Sequence, residues 1–265
     1  MKNKTLNTKT LVFGAFLLAI AFLIGGGLTR VTGIPTTIKI NFGGANQNIG
    51  FTAVPLVIGS IVLGPIPGMI VAMIYDTLSY LLITVGVWNP IFTLSEMMIG
   101  FVPGFIYKFV FKKVETEKNH LKEVIAGVII YTFVVILLSS VMGKGTTDSQ
   151  LAVQMISFEN CFEIKNKILL AAFLISCLLS VDLLVIFGKK KHDTGLFSYD
   201  KLFIVTFVGL LLRSLVSGWG LWVYYGKTIP LIFYWLPRFI TPMFTAPITA
   251  FIISRLGYIL KKYTK

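Results

Sequence analysis

The feature that most constrains this chain is a series of apolar runs, most of them long enough to cross a lipid bilayer. A helix needs about 20 residues to span the hydrocarbon core. Charged residues, prolines and glycines separate eight such runs, at 11–28, 49–63, 66–86, 91–111, 123–142, 167–187, 202–225 and 230–256. The pattern predicts an all-α polytopic membrane bundle of about eight transmembrane helices in the cell membrane.

Composition and charge agree with a membrane protein. The 265 residues are 55% hydrophobic and 13% charged, and a soluble domain has about 25% charged residues. The net charge is +13, but the basic residues lie between apolar runs rather than on one face. Such a distribution indicates topology rather than nucleic-acid binding, and the lysine-rich gaps and tails place both termini in the cytosol.

Five ionisable residues remain inside the predicted spans. Charges are costly at bilayer depth, so we expect them in the bundle interior. Asp182 lies near a lysine-rich gap and is expected to pair there. The two basic residues placed deep in spans, Arg213 and Arg238, are both arginine in a chain rich in lysine. A planar guanidinium recognises carboxylates through two parallel hydrogen bonds, so this choice suggests a geometric role.

Polar residues continue from these charges at helical spacing. The stripes are Arg238, Thr241, Thr245 and Thr249; Arg213, Ser217, Gly220 and Tyr224; and Asp76, Tyr80 and Thr84. Counting from span ends puts Asp76 and Arg213 near the midplane and Glu96 and Arg238 in the outer half. Two interpretations stay open: structural ion pairs Asp76–Arg213 and Glu96–Arg238, or an outward-facing pocket for an anionic ligand.

The motifs of intramembrane enzymes and of nucleotide-binding domains are not found. The segment "GLWVYYGKT" has five residues between its glycines where a phosphate-binding loop has four. The two cysteines and two histidines are not grouped as a metal site or a disulfide framework. We therefore predict no catalytic residue, no metal and no cofactor, and any energy for transport would come from another subunit.

Three quoted stretches carry a family resemblance. "IKINFGGANQNIGFTAVPLVIGSIVLGPIPGMIVAMIYDTLSYLL", "FTLSEMMIGFVPGFIYK" and "YYGKTIPLIFYWLPRFITPMFTAPITAFI" resemble the substrate-binding S components of energy-coupling factor (ECF) vitamin transporters, and the folate branch most of all. The resemblance covers residues 1–112 and 200–265. It implies one integral membrane domain over 1–265, with a six-helix core and both termini cytosolic. The surplus spans then form an inserted helical hairpin at about 123–187.

The resemblance also implies the function and the site. The protein would be the vitamin-binding subunit of a bacterial importer, and an ECF transmembrane coupling subunit and two cytosolic ATPases would use the ATP. Folate suits a pocket with cations for carboxylates and aromatic rings for a flat ring. The predicted substrate-binding residues are Arg238, Arg213, Lys227, Arg30, Lys39, Asp76, Glu96, Trp222, Tyr225 and Trp235. The Gly- and Asn-rich segment 29–48 is predicted to be a mobile lid.

The first helix is the implied docking surface for the coupling subunit. Ala15 and Ala19 form a small-xxx-small pattern that lets helices approach closely in lipid. Ordinary packing within the chain is the alternative explanation of that pattern. For the protein as a whole, the alternatives are an S component for pantothenate or riboflavin, an intramembrane lipid-modifying enzyme, and an autonomous secondary carrier.

Overall fold

The computed structural model describes residues 8–33, 37–42, 45–83, 88–111, 125–129, 131, 198–224 and 231–260. These residues are helical apart from one β-hairpin and short connections. The helices are α1 (Thr8–Phe22), α2 (Leu28–Thr32), α3 (Ala53–Leu63), α4 (Pro65–Leu82), α5 (Pro90–Ile106), α6 (Tyr199–Tyr224) and α7 (Leu231–Leu260). A π-helical turn at Leu23–Gly27 joins α1 to α2, and a second at Tyr107–Phe111 extends α5.

The predicted all-α membrane bundle is confirmed. Four helical segments are long and apolar enough to cross a membrane: Thr8–Arg30, Pro65–Leu82, Pro90–Phe111 and Tyr199–Tyr224. The predicted span 49–63 is short, as its sequence indicated, and forms the 11-residue α3. Most of the predicted inserted hairpin lies outside the described residues, although 125–129 are helical.

Proline and its neighbours set the starts of two helices that line the site described below. Gly64 has φ 101°, which favours glycine, and Pro65 follows as the first residue of α4. Before α5, the Asn89 side chain accepts a hydrogen bond from the Ile91 N–H, and Pro90 again occupies the first turn. These starts fix the positions of Asp76 along α4 and of Glu96 along α5.

The segment 29–48, which was predicted to be a mobile lid, contains regular secondary structure. It contains most of α2 and most of an antiparallel hairpin, β1 (Thr37–Phe42) and β2 (Ala45–Gly50), with Thr37 opposite Gly50 and Phe42 opposite Ala45. The β-branched residues at the start of β1 favour extended structure, and the Gly and Asn content had hidden this signal. The hairpin leads directly into α3, and β2 lies against α7.

Small residues allow α3, α4 and α5 to pack closely. Gly68 on α4 faces Gly100 on α5, and a Cβ at Gly100 would collide with the Gly68 carbonyl oxygen. The Gly104 N–H, one turn later, donates to the buried Ser60 hydroxyl on α3 at 2.6 Å. The close contact between Gly68 and Gly100 holds α4 and α5, the helices that carry Asp76 and Glu96, at a fixed separation.

Gly100→Ala should therefore lower the free energy of unfolding by about 1–3 kcal/mol, the usual cost of an overpacked core. Gly14→Ala is the matched control, because a Cβ there meets only side chains at ordinary distances of 3.4 and 3.5 Å. Denaturant titration in detergent micelles measures both variants. Equal losses at the two positions would contradict a specific α4–α5 contact.

Candidate functional site

An ion pair joins α5 to α6 inside the bundle. Arg213 Nη2 donates to Glu96 Oε1, and Glu96 is only 8% exposed. Buried charges persist in proteins when they are paired, and this pair satisfies one carboxylate oxygen. Glu96 Oε2 is also buried but has no hydrogen-bond partner among the described residues.

Arg238 on α7 is a partly buried cation with a different environment. Its Nη1 donates to the Ser217 hydroxyl on α6 at 2.7 Å, and its buried Nε has no partner in the part of the chain that the structure describes. Across those residues, no carboxylate forms an ion pair with Arg238. The guanidinium is therefore held in place by a neutral hydroxyl, and no described carboxylate compensates its charge.

Asp76 on α4 forms a separate hydrogen-bond chain. The Trp88 indole N–H donates to Thr93 Oγ1 at 3.1 Å, and the Thr93 hydroxyl donates to Asp76 Oδ2 at 2.6 Å. Because Trp88 precedes α5, this chain links the start of α5 to the middle of α4.

Both structural ion pairs considered from the sequence are wrong. Arg213 pairs with Glu96 rather than Asp76, and Arg238 bonds to Ser217 rather than Glu96. Helix adjacency explains the difference: α5 packs against both α4 and α6, while α4 and α6 share no extensive packing, and α7 packs mainly against α6. Depth along a span does not reveal which helices are neighbours.

Two adjoining cavities surround these charges, near the end of the bundle where α1 ends and α5 begins. One, the Tyr75 chamber, has a volume of about 140 Å³ and is lined by Gly25, Gly50, Thr52, Tyr75 and Thr245. The other, the Arg238 chamber, has about 250 Å³ and is lined by Phe92, Ser95, Glu96, Ser217 and Arg238. Leu210, Arg213 and Thr241 line both, so the Arg213 side chain lies at their boundary.

Of the predicted set, the structure brings Arg213, Glu96 and Arg238 together around the larger chamber. Asp76 is not among its described lining residues and accepts a hydrogen bond from Thr93. Arg30 is exposed on α2 and is not among the described lining residues of either chamber. Lys39 belongs to β1, where the structure describes only its backbone. Lys227 and Tyr225 lie outside the described residues.

The two described tryptophans of the predicted site lie in different environments. The Trp235 indole N–H donates to the Leu215 carbonyl at 3.0 Å, and its ring packs where a Cβ at Gly218 would lie. Trp235 therefore connects α7 to α6. Trp222 is partly buried near the end of α6. Neither appears among the described walls of the two chambers.

Sequence reasoning missed the aromatic and hydroxyl groups of the smaller chamber. Tyr75 precedes Asp76 directly and is 8% exposed, and Thr52 and Gly50 enter from the start of α3 and the end of β2. The polar stripe on α7 did point to Thr241 and Thr245. No periodic pattern in the sequence points to Tyr75, because its place in the chamber depends on how α1 and α3 pack against α4.

Ala15 and Ala19 are both exposed on α1. Leu11, Val12, Phe16 and Leu23 are exposed on the same helix or just after it, at 50–65%. Internal packing, the alternative explanation of the small-residue pattern, is wrong for the described residues. The two alanines lie on a face that no described part of the chain covers.

Fold and site together define a polytopic membrane protein with a charged cavity near one end of its helical bundle. A family model described as "ECF-type riboflavin transporter, S component" matches residues 5–183. The chain belongs to this family of S components, so it is a vitamin-binding transporter subunit that works with an ECF module, and it is not an enzyme. No curated protein and no solved structure matches the chain significantly.

Proposed function

We propose that this S component captures an anionic vitamin with a flat ring, most closely a folate, for an ECF-type importer in the bacterial plasma membrane. The observation that carries the proposal is Arg238. Its guanidinium lines the larger chamber, has a buried Nε with no partner among the described residues, and is held at one end by Ser217. A ligand carboxylate would accept the remaining N–H bonds and compensate the charge.

Charge distinguishes this proposal from a neutral ligand. Arg213 is already compensated by Glu96, so it adds little net charge to the cavity. Arg238 has no such compensation among the described residues, and an uncompensated cation costs free energy away from water. A neutral vitamin would bury that cation further, whereas a carboxylate would form a charge-assisted, two-bond contact.

Size supports a ligand with two parts. Pockets for small molecules usually have about 300 Å³ or more, and the chambers have about 140 and 250 Å³. A vitamin that extends past Arg213 would occupy both chambers. Tyr75 offers an aromatic wall in the smaller chamber for a flat ring, and Arg238 offers a cation in the larger one for an acid.

Riboflavin is the second candidate, because the matching family model carries that vitamin in its description. It shares the flat ring but has a neutral polyol in place of the acid. The hydroxyl-bearing residues of the walls, including Thr52, Thr241 and Ser217, would then bond to the polyol.

Titration calorimetry on the purified protein separates these candidates. Folate, pteroate and riboflavin are the three probes, and pteroate keeps the pterin ring but lacks the glutamate. We expect folate to bind most tightly, pteroate more weakly and riboflavin weakest. Tight binding of riboflavin with none of folate would overturn the proposed vitamin and leave the family assignment unchanged.

The exposed alanines on α1 support a docking role toward the ECF transmembrane subunit, with two cytosolic ATPases supplying the energy. Ala19→Leu should leave vitamin affinity within about twofold but block uptake, because a bulky side chain separates two closely packed helices. Val12→Leu is the control: it is 65% exposed on the same helix and gains only one methylene. Uptake of labelled vitamin into proteoliposomes with the complete module measures both variants. Parallel loss of binding and uptake would argue against docking.

A further inference from the structure

Glu96 lines the larger chamber, and one of its carboxylate oxygens accepts no hydrogen bond from the described residues. Its Oε1 is bonded to Arg213, while its buried Oε2 has no partner among the described residues. The residue is more than nine-tenths buried and lines the chamber. A carboxylate oxygen in such a place is costly unless a donor reaches it.

The surrounding described groups do not supply that donor. The Asp76 carboxylate on α4 accepts from Thr93, and a carboxylate donates nothing when ionised. Arg213 on α6 uses Nη2 on the other oxygen. The Ser95 hydroxyl, one residue before Glu96, donates to the Phe92 carbonyl at 2.7 Å, and Arg238 uses Nη1 on Ser217.

Glu96 and Arg238 line the same chamber, so one part of a ligand would meet both. Glu96 requires an N–H or O–H donor, and Arg238 requires an anion. An amide N–H next to a carboxylate, as in an N-acyl amino acid, presents these two groups on either side of one Cα atom. The glutamate end of a folate is such a unit, and the flat ring then extends past Arg213 to Tyr75 in the smaller chamber.

We propose that Glu96 is a specificity-determining residue that accepts a hydrogen bond from the amide N–H of an N-acyl amino acid unit whose carboxylate binds Arg238. This inference rests on the proposed function, since it assigns the acid end of the vitamin. It goes further in stating that a carboxylate alone is insufficient and that the neighbouring N–H is read as well.

The test compares folate with its ester analogue, in which oxygen replaces the amide nitrogen of the glutamate and the donor is lost with little change of shape. Hydrogen bonds to charged groups lead us to expect the wild-type protein to bind the ester about tenfold to a hundredfold more weakly. In Glu96→Gln, we expect the amide oxygen to accept the hydrogen bond from Arg213. The NH₂ group then occupies the former Oε2 position and cannot accept a hydrogen bond from the ligand. The preference for folate should then fall to about twofold or less.

The ratio of the two affinities isolates the proposed contact. Any effect of the ester on its own carbonyl is present in both the wild type and Glu96→Gln. It therefore cancels when the two affinity ratios are compared. Equal binding of folate and ester by the wild-type protein would overturn the inference and leave the folate assignment intact. A preference that persists unchanged in Glu96→Gln would overturn the role of Glu96. Binding of riboflavin without folate would instead overturn the proposed vitamin, so the two failures are distinguishable.

Discussion

Arg238→Met should weaken folate binding by about a hundredfold or more while leaving the protein at least as stable as the wild type. A two-bond contact to a carboxylate contributes about 3 kcal/mol or more, at roughly 1.5–3 kcal/mol for each charge-assisted bond. Arg238 has no carboxylate partner in the described part of the chain, so its removal strands no opposite charge. Stability does not fall, because the Met side chain has no charge to desolvate.

The companion variants define the role of Arg238 more finely. Arg238→Lys keeps the charge but loses the planar fork, and we expect about tenfold to a hundredfold weaker binding from the loss of one charge-assisted bond. Ser217→Ala removes the hydroxyl that holds Nη1 and should weaken binding less than Arg238→Lys. Calorimetry gives the affinities, and denaturant titration in micelles gives the stabilities. Unchanged affinity in Arg238→Met, together with a large loss of stability, would make Arg238 a structural residue.

Such a combination, weaker binding without lower stability, is typical of residues kept for function. Binding sites hold polar groups that the fold alone does not need, and replacing them often stabilises a protein. Glu96 Oε2 and Arg238 Nε are the two buried charged-group atoms without partners among the described residues. Both belong to residues that line the Arg238 chamber, which places the unsatisfied groups where a ligand could satisfy them.

Much of the helical architecture was predictable from sequence because it depends on local signals. Apolar run length identified the helices, and Pro65 and Pro90 marked two helix starts. Helical spacing identified the polar stripes that carry Arg213 and Arg238. These signals act within about one or two turns of a helix, so a single sequence contains them.

The pairing of charges was not predictable, because it depends on which helices are adjacent. Glu96 and Asp76 lie on neighbouring helices, and both were within the range of depths that an arginine side chain reaches. One helical turn rises only about 5.4 Å, so depth did not separate the two carboxylates. The position of α5 between α4 and α6 decided the partner of Arg213. The surroundings of Trp235 were unpredictable for the same reason, since Gly218 on the neighbouring helix leaves the space that its ring fills.

Arg213→Met should lower the free energy of unfolding by about 3–5 kcal/mol, because Glu96 then has a buried charge with neither oxygen paired. The double variant Arg213→Met with Glu96→Gln should recover most of that loss, since it removes both charges. The parallel cycle with Asp76→Asn is the control. Asp76 takes its hydrogen bond from Thr93, so its removal should recover much less.

The two cycles together locate the partner of Arg213 in solution. Denaturant titration in micelles gives the coupling free energy of each pair, and we expect the value for Glu96 to exceed that for Asp76 by about 1 kcal/mol or more, within the usual range for contacting residues. The reverse order would show that Arg213 pairs across to α4 and that the α5–α6 ion pair does not form. The expected order assigns Arg213 to the stability of the fold. Arg213 variants should therefore lose stability first, whereas Arg238 variants should lose affinity alone.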